Sequence, residues 1–358
     1  MCIVFVAFED HPVYSLVLAS NRDEEQDRTA APCGWWESNG PHAGVLAGRD
    51  LARGGTWLGV HPRRGVWAVL TNFREPNPSV GERSRGELPL RLLSSHAGSG
   101  RGMLSSSALH DDLDNLRNTA DSYAGFNLLV GGAGELWWVS NRASSDGADP
   151  SAGRRAGSPR ASGSKVYAEK LNPGMHAVSN ASLDTPWPKL ERGRALFRKI
   201  LDANVARAEP PSAVSRRRLA VELLGQLLSD SERAPPSELP CTGLPLAAEA
   251  MLSSICVAQN PAERAKSGSG YGTVAQTVLL IGRDGYAMLA ERRMRDGATL
   301  GVPSLFEFEL ARPPRGLVAR ATPSARARWA LGLGIAFSVA ACLGVALMRT
   351  RPSAGARR

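Results

Sequence analysis

The 358-residue chain has no C-x-x-C pair and no Cys/His zinc spacing, and its five cysteines, at 2, 33, 241, 256 and 342, are odd in number and scattered. A disulfide framework has no support, and a reducing compartment is the simpler setting. The six histidines (11, 42, 61, 96, 110, 176) show no i, i+4 or H-x-H spacing, so no metal site is expected. Neither G-x-x-x-x-G-K-[ST] nor G-x-G-x-x-G occurs, which leaves Gly54-Gly55 as a tight turn into the Trp57 strand and not a phosphate loop. No basic n-region precedes an apolar h-region. Glu9, Asp10 and His11 interrupt the first apolar run after eight residues, so secretion by a cleaved signal is not expected.

Negative charge is absent from one end. From Ala311 onward there are nine arginines and no Lys, Asp or Glu; taking those nine from the formal net charge of +9 leaves residues 1–310 neutral. The basic balance therefore does not describe the folded part. No run there combines Lys and Arg with stacking aromatics, and nucleic acid is not expected as a partner.

What is present is a chain with 43% hydrophobic residues, enough for a substantial core. Met1 to Phe8 and Tyr14 to Ala19 read as buried strands joined by the turn-like Glu9-Asp10-His11-Pro12. Further strands are expected at 57–61, 66–71, 126–130, 136–139, 272–282 and 286–290. A helix capped by Thr185 with Pro186 at its first position carries Leu190, Leu196, Phe197, Ile200 and Leu201 at helical spacing. A second, Ala213 to Leu228, lines up five leucines. Strands, then helices, then strands imply a layered α+β domain over residues 1–310. Residues 142–165, rich in Ser, Gly, Ala, Pro and Arg, read as a disordered surface insertion.

A Pro/Ala/Arg-rich linker is expected over 311–328, a transmembrane helix over 329–348 and a short basic tail over 349–358. Twenty apolar residues make a helix of roughly 30 Å, the thickness of a hydrocarbon core. Trp329 and the arginines at 326, 328, 349 and 351 suit the two interfaces. On this reading a cytosolic domain is anchored to an intracellular membrane, that of the Golgi, the endoplasmic reticulum or the outer mitochondrial surface.

An ordered series of motifs runs through the rest: Met1-Cys2, Ser20-Asn21-Arg22-Asp23-Glu24, Gly48-Arg49-Asp50, Gly54-Gly55-Thr56-Trp57-Leu58-Gly59-Val60 and Thr71-Asn72-Phe73-Arg74-Glu75. It continues with Ser84-Arg85-Gly86-Glu87-Leu88, Tyr123-Ala124-Gly125-Phe126-Asn127-Leu128, Ser140-Asn141-Arg142, the stretch from Ser179 to Lys189, and Tyr271-Gly272-Thr273. In that order and spacing the chain resembles the NRDE family, also called the transport and Golgi organisation family. The family is similar to the N-terminal nucleophile hydrolases, which implies an αββα sandwich, here followed by the C-terminal transmembrane helix.

The resemblance implies a site. Cys2, once Met1 is removed, stands beside its own α-amine, which can accept the thiol proton near neutral pH. By similarity to the bile-salt and penicillin amidases, Arg22 and Asp23 would supply a charged pair, and Asn72 and Asn180 would donate to an oxyanion or position substrate. Adjacent strands lie about 4.8 Å apart, so Asn21, Arg22 and Asp23 should line the same pocket as Cys2. The family pattern has an arginine after Tyr-Gly-Thr, where Val274 stands here. Cys2 also reads as a small core residue of the first strand, and Arg22 with Asp23 as a structural ion pair. Three functions remain open: a non-catalytic trafficking role in Golgi organisation and secretion or in haem transport; an amidohydrolase using Cys2; and lipid or acyl-CoA handling at a membrane. Haem is thus a possible transported ligand, and no His or Cys spacing picks out an axial ligand for it.

Overall fold

Side chains alternate along a strand, so a hairpin that is apolar at every position must be covered on both faces. Strand β1 (Cys2–Phe8) sends Ile3, Phe5 and Ala7 into one buried cluster and Val4 and Val6 into another. Strand β2 (Tyr14–Glu25) does the same with Val17 and Ala19 against Leu16 and Leu18. A helical layer meets the first set. A second sheet meets the other.

The computed structural model describes residues 2–37, 39–75, 81–95, 102–142, 166–267 and 270–311, all within one unit, Met1–Pro313. The remaining strands are β3 (Ala30–Trp35), β4 (Leu46–Asp50), β5 (Leu58–His61), β6 (Val66–Asn72), β7 (Phe126–Gly132), β8 (Glu135–Ser140), β9 (Tyr167–Lys170), β10 (Gly174–Val178), β11 (Tyr271–Gly282), β12 (Tyr286–Arg295) and β13 (Ala298–Glu309). One antiparallel sheet has the order β10-β1-β2-β11-β12-β13, the other β3-β4-β5-β6-β7-β8-β9. Between them lie Val4, Val6, Leu16 and Leu18 from the first sheet and Val60, Val69, Leu129 and Trp138 from the second.

Helices α1 (Glu87–Ser94) and α2 (Ser106–Arg117) pack Leu88, Leu93, Leu109 and Leu116 on the outer face of the second sheet. Helices α3 (Pro188–Ala206) and α4 (Ala213–Glu222) cover the outer face of the first, and α4 runs on as a π-helical turn over Leu223–Leu227. Two short helices, α5 (Leu246–Met251) and α6 (Pro261–Ser267), precede β11.

The structure corrects the expected fold class, an αββα sandwich followed by a C-terminal transmembrane helix. The described fold is a sheet-rich body built on two antiparallel sheets, and none of its helices is long and apolar enough to cross a membrane. The longest, α3, has 19 residues but carries Lys189, Glu191, Arg192, Arg194, Arg198, Lys199 and Asp202, charges a bilayer core would not accept. The span 329–348, its flanking linker and tail, and the segment 143–165 lie outside the described residues. A smaller correction concerns the start of α3. Thr185 donates its hydroxyl to the Ser182 carbonyl at 2.8 Å and caps nothing, and the helix begins at Pro188 after Trp187. Proline at the first helical position is retained, two residues later.

Candidate functional site

A cavity of about 390 Å³ opens at one end of the space between the sheets, where the apolar core gives way to charge. Cys2 and Arg22 sit opposite each other in the β1–β2 register and share the face that looks toward the second sheet. Both are nearly buried, at 8% and 5% exposure. Arg22 lies with its guanidinium carbon 4.5 Å from the Trp57 ring centroid, and its Nη2 donates to Asp50 Oδ2 at 3.2 Å. Arg28 Nε donates to the same oxygen at 2.7 Å. The other Asp50 oxygen accepts the backbone N–H groups of Ala52 and Arg53 at 3.0 and 3.1 Å. Glu24 stands 3.6 Å from both Arg22 and Arg28. A carboxylate that accepts four hydrogen bonds, two of them charge-assisted, is a rigid anchor for the two arginines.

Two glycine turns bring the opposite wall into place. Gly54 has φ +74°, a conformation that costs glycine nothing. Gly55 lies so close to the next loop that a Cβ there would come within 2.5 Å of the Gly86 backbone, and Thr56 N–H donates to the Gly86 carbonyl at 3.0 Å. This contact carries Ser84 and Arg85 onto the cavity wall, where Arg85 Nη1 donates to the Gly125 carbonyl at 2.9 Å. Five arginines (22, 28, 53, 83 and 85) face three carboxylates (Asp23, Glu24 and Asp50) around the cavity.

Of the residues expected from the sequence, Cys2, Arg22, Asp23 and Asn72 line this one cavity. Asn180 does not. It is fully buried and donates to the Asn72 carbonyl at 2.8 Å, while its own Oδ1 is 3.0 Å from the Ser179 hydroxyl that also reaches the Cys2 carbonyl at 2.9 Å. Asn180 therefore braces the backbone of Asn72 from behind. The side-chain amide of Asn72 has no hydrogen-bond partner among the described residues and faces the opening. Asn21 points the other way, its amide donating to the carbonyls of Leu228 and Ile255 at 2.9 and 2.8 Å under the helical layer. Strand parity separates it from Arg22. Val274 sits in a bulge where β11 slips against β2 between Thr273 and Ala275, and its side chain is buried.

Burial pushes the Cys2 thiol above its ordinary pKa, and the Asp23 carboxylate adds to this; the Arg22 charge and a hydrogen bond from the Asp23 backbone pull the other way. Burial also raises Asp23, opposed by Lys189 and by the Thr273 hydroxyl, which donates at 2.7 Å. Sequence reasoning assigned no role to Asp50, Trp57, Arg85 or Lys189, although each stands in a motif quoted above. Among the described residues no cluster of His, Cys, Asp and Glu could hold a metal ion, and no histidine lines the cavity.

Fold and site together define a two-sheet protein with a thiol at the mouth of an arginine-rich cleft between its sheets. The comparisons with known proteins place it among relatives. Residues 1–296 match the family model described as Transport and Golgi organisation 2, and the chain belongs to that family. It is 32% identical over 311 residues to the Transport and Golgi organization protein 2 homolog of Bos taurus, covering 82% of this chain and 93% of that one. The corresponding homolog of Homo sapiens is 30% identical over 314 residues, covering 83% and 94%. A stretch of 92 residues is 36% identical to Transport and Golgi organization protein 2 of Drosophila melanogaster, covering 23% of this chain and 31% of that one.

Proposed function

We propose that this chain serves transport and Golgi organisation, the process its relatives are named for, by taking an acyl-bearing small molecule into the cleft, where Cys2 acts on the acyl group. The observation that carries this reading is the placement of Cys2 opposite Arg22 on one wall of the cavity, with Asn72 of β6 lining it from the second sheet, its amide without a hydrogen-bond partner among the described residues. Removal of Met1 would free an α-amine at Cys2 to take the thiol proton as the sulfur adds to the carbonyl. Asn72 would then donate to the oxyanion, the leaving amine or alcohol would take the proton, and water would release the acid from the thioester. The surplus of arginine around the cavity favours a ligand that carries a carboxylate or phosphate of its own.

Two measurements test this. Intact-mass spectrometry should find the mature chain beginning at Cys2, and retained Met1 overturns the nucleophile. A reactive acyl ester should add one acyl group to the wild-type protein and none to a folded Cys2→Ala variant. Equal labelling of the two would count decisively against Cys2.

A further inference from the structure

The five arginines of the cleft are not equally answered by acids. Arg22 and Arg28 share Asp50 and Glu24, and Arg83 forks onto Glu87 through Nε and Nη2 at 3.0 and 2.7 Å. Arg53 and Arg85 have no ion pair among the described residues. Arg53 lines the cavity from an exposed position, where water serves it. Arg85 is half-buried, and its one hydrogen bond among those residues spends a single N–H on the Gly125 carbonyl at 2.9 Å. A guanidinium has five N–H donors in a planar fork, so most of this one is left for a guest. Glu75, which packs against Gly125, is held instead by Arg142 Nε at 2.7 Å. Two more donors line the cavity without an acceptor among the described residues, the Ser84 hydroxyl and the Asn72 amide. Asn72 ends β6, and Ser84 and Arg85 lie between β6 and α1. The unanswered donors therefore gather on the wall built from the second sheet, and Cys2 faces them from β1 of the first. A cavity of about 390 Å³ is room for one small ligand that touches both walls.

We propose that Arg85 is the residue that binds the charged end of the ligand: a carboxylate or phosphate seats on its guanidinium beside the Ser84 hydroxyl, while the acyl end lies against Cys2 on the facing wall. Planar oxyanions match the guanidinium fork, and partial burial strengthens the attraction by keeping water out. Arg22, Arg28 and Arg83, tied to their own carboxylates, hold the shape of the cleft. The inference deepens the acyl-transfer reading and rests on it only for the acyl end, because the anion subsite can be followed through alkylation of Cys2 with no acyl transfer.

The experiment compares three reagents with one reactive group on the full chain: N-iodoacetyl-β-alanine, N-iodoacetyl phosphoethanolamine and the neutral N-iodoacetyl-β-alaninamide. Peptide mass spectrometry reads Cys2 separately from the exposed Cys241. The ratio of rates on one protein cancels the thiolate fraction, so a shifted thiol pKa cannot imitate the effect. Wild type should react about tenfold faster with an anionic reagent than with the neutral one, the lower end of what a charge-assisted hydrogen bond contributes. The faster of the two anions names the oxyanion. Arg85→Gln, which can still donate to the Gly125 carbonyl, should erase the preference. Arg83→Gln makes the same change in net charge beside it and should cost no more than about threefold, the share of a screened neighbouring charge. A wild-type protein without the preference overturns the proposal, as does an equal loss in the two variants or none in Arg85→Gln. Should Arg85→Gln fail to fold, wild type and Arg83→Gln decide, and a preference absent from the first or erased in the second is the contrary result. A Cys2 that prefers the anionic reagents but accepts no acyl group would keep this inference and remove the hydrolytic reading; an acylated Cys2 without the preference would do the reverse.

Discussion

The β1–β2 hairpin is one pair of strands with two very different ends. At the turn, Glu9 pairs with Arg283 at 2.5 Å and Asp10 pairs with Arg198, with all four side chains 32–42% exposed. His11 closes the turn by accepting the backbone N–H groups of Val13 and Tyr14 at 3.1 and 3.3 Å. At the open end, Cys2, Arg22 and Asp23 are buried, and each charge depends on partners from distant segments: Asp50 for Arg22, Thr273 and Lys189 for Asp23. The same backbone thus ends once in water and once in a cleft. Exposed pairs are worth little, whereas a buried charge that loses its partner is costly. The open end is therefore the sensitive one, and the apolar middle joins the two.

The middle should show the largest effect. Phe5 is fully buried, its ring 6.2 Å from that of Phe197, and a Cβ added at Gly193 would lie within 2.1 Å of it. Phe5→Ala is expected to cost about 3–5 kcal/mol in urea denaturation. A loss below about 1 kcal/mol would show that the two ends do not share a core.

Asp50→Ala sharpens the contrast between the ends. It strands Arg22 and Arg28 at the cleft, and a loss of about 3 kcal/mol is expected, against about 0.5 kcal/mol or less for Glu9→Ala at the turn. Equal losses in the same denaturation assay would erase the distinction.

The turn end has its own pH signature. Burial first, then the Arg283 charge, lowers His11 from 6.5 to about 4. Between those values the unfolded chain binds the proton and the folded chain does not, so stability rises with pH there. The contribution is complete above about pH 6.5 and is lost as the pH falls toward 4. A change on the order of 2 kcal/mol is expected across that window. His11→Asn, which keeps an acceptor for the turn, should flatten the curve, and an unchanged slope would move the effect elsewhere.

How much of this was legible beforehand follows from how local each cause is. The continuous apolar runs of β1 and β2, which strand parity divides between two faces, and the turn at Glu9–Pro12 could be read directly. The motif series pointed to Cys2, Arg22, Asp23 and Asn72, and the structure brings these four to one cavity. It misplaced Asn21 and Asn180. Asn21 shares a motif with Arg22 but takes the opposite face, and Asn180 spends its amide on the Asn72 backbone. Strand β13 and helices α1 and α2 went unassigned, because β13 is mostly exposed and lacks a buried alternation, and the two helices are short.

By itself the amino-acid sequence determined the continuous apolar runs that give the first sheet two buried faces, the glycines at 54, 55 and 86 that permit tight backbone approach, and the motif order that marks the family. Only the tertiary structure decided which charges meet. Asp50 reaches Arg22 across 28 residues, and the Asn180 amide reaches the Asn72 carbonyl across 108. The reason is physical: strand parity and turn geometry act over a few residues, whereas a buried charge finds its partner only when two sheets and a helix close over it and remove the water that would otherwise serve.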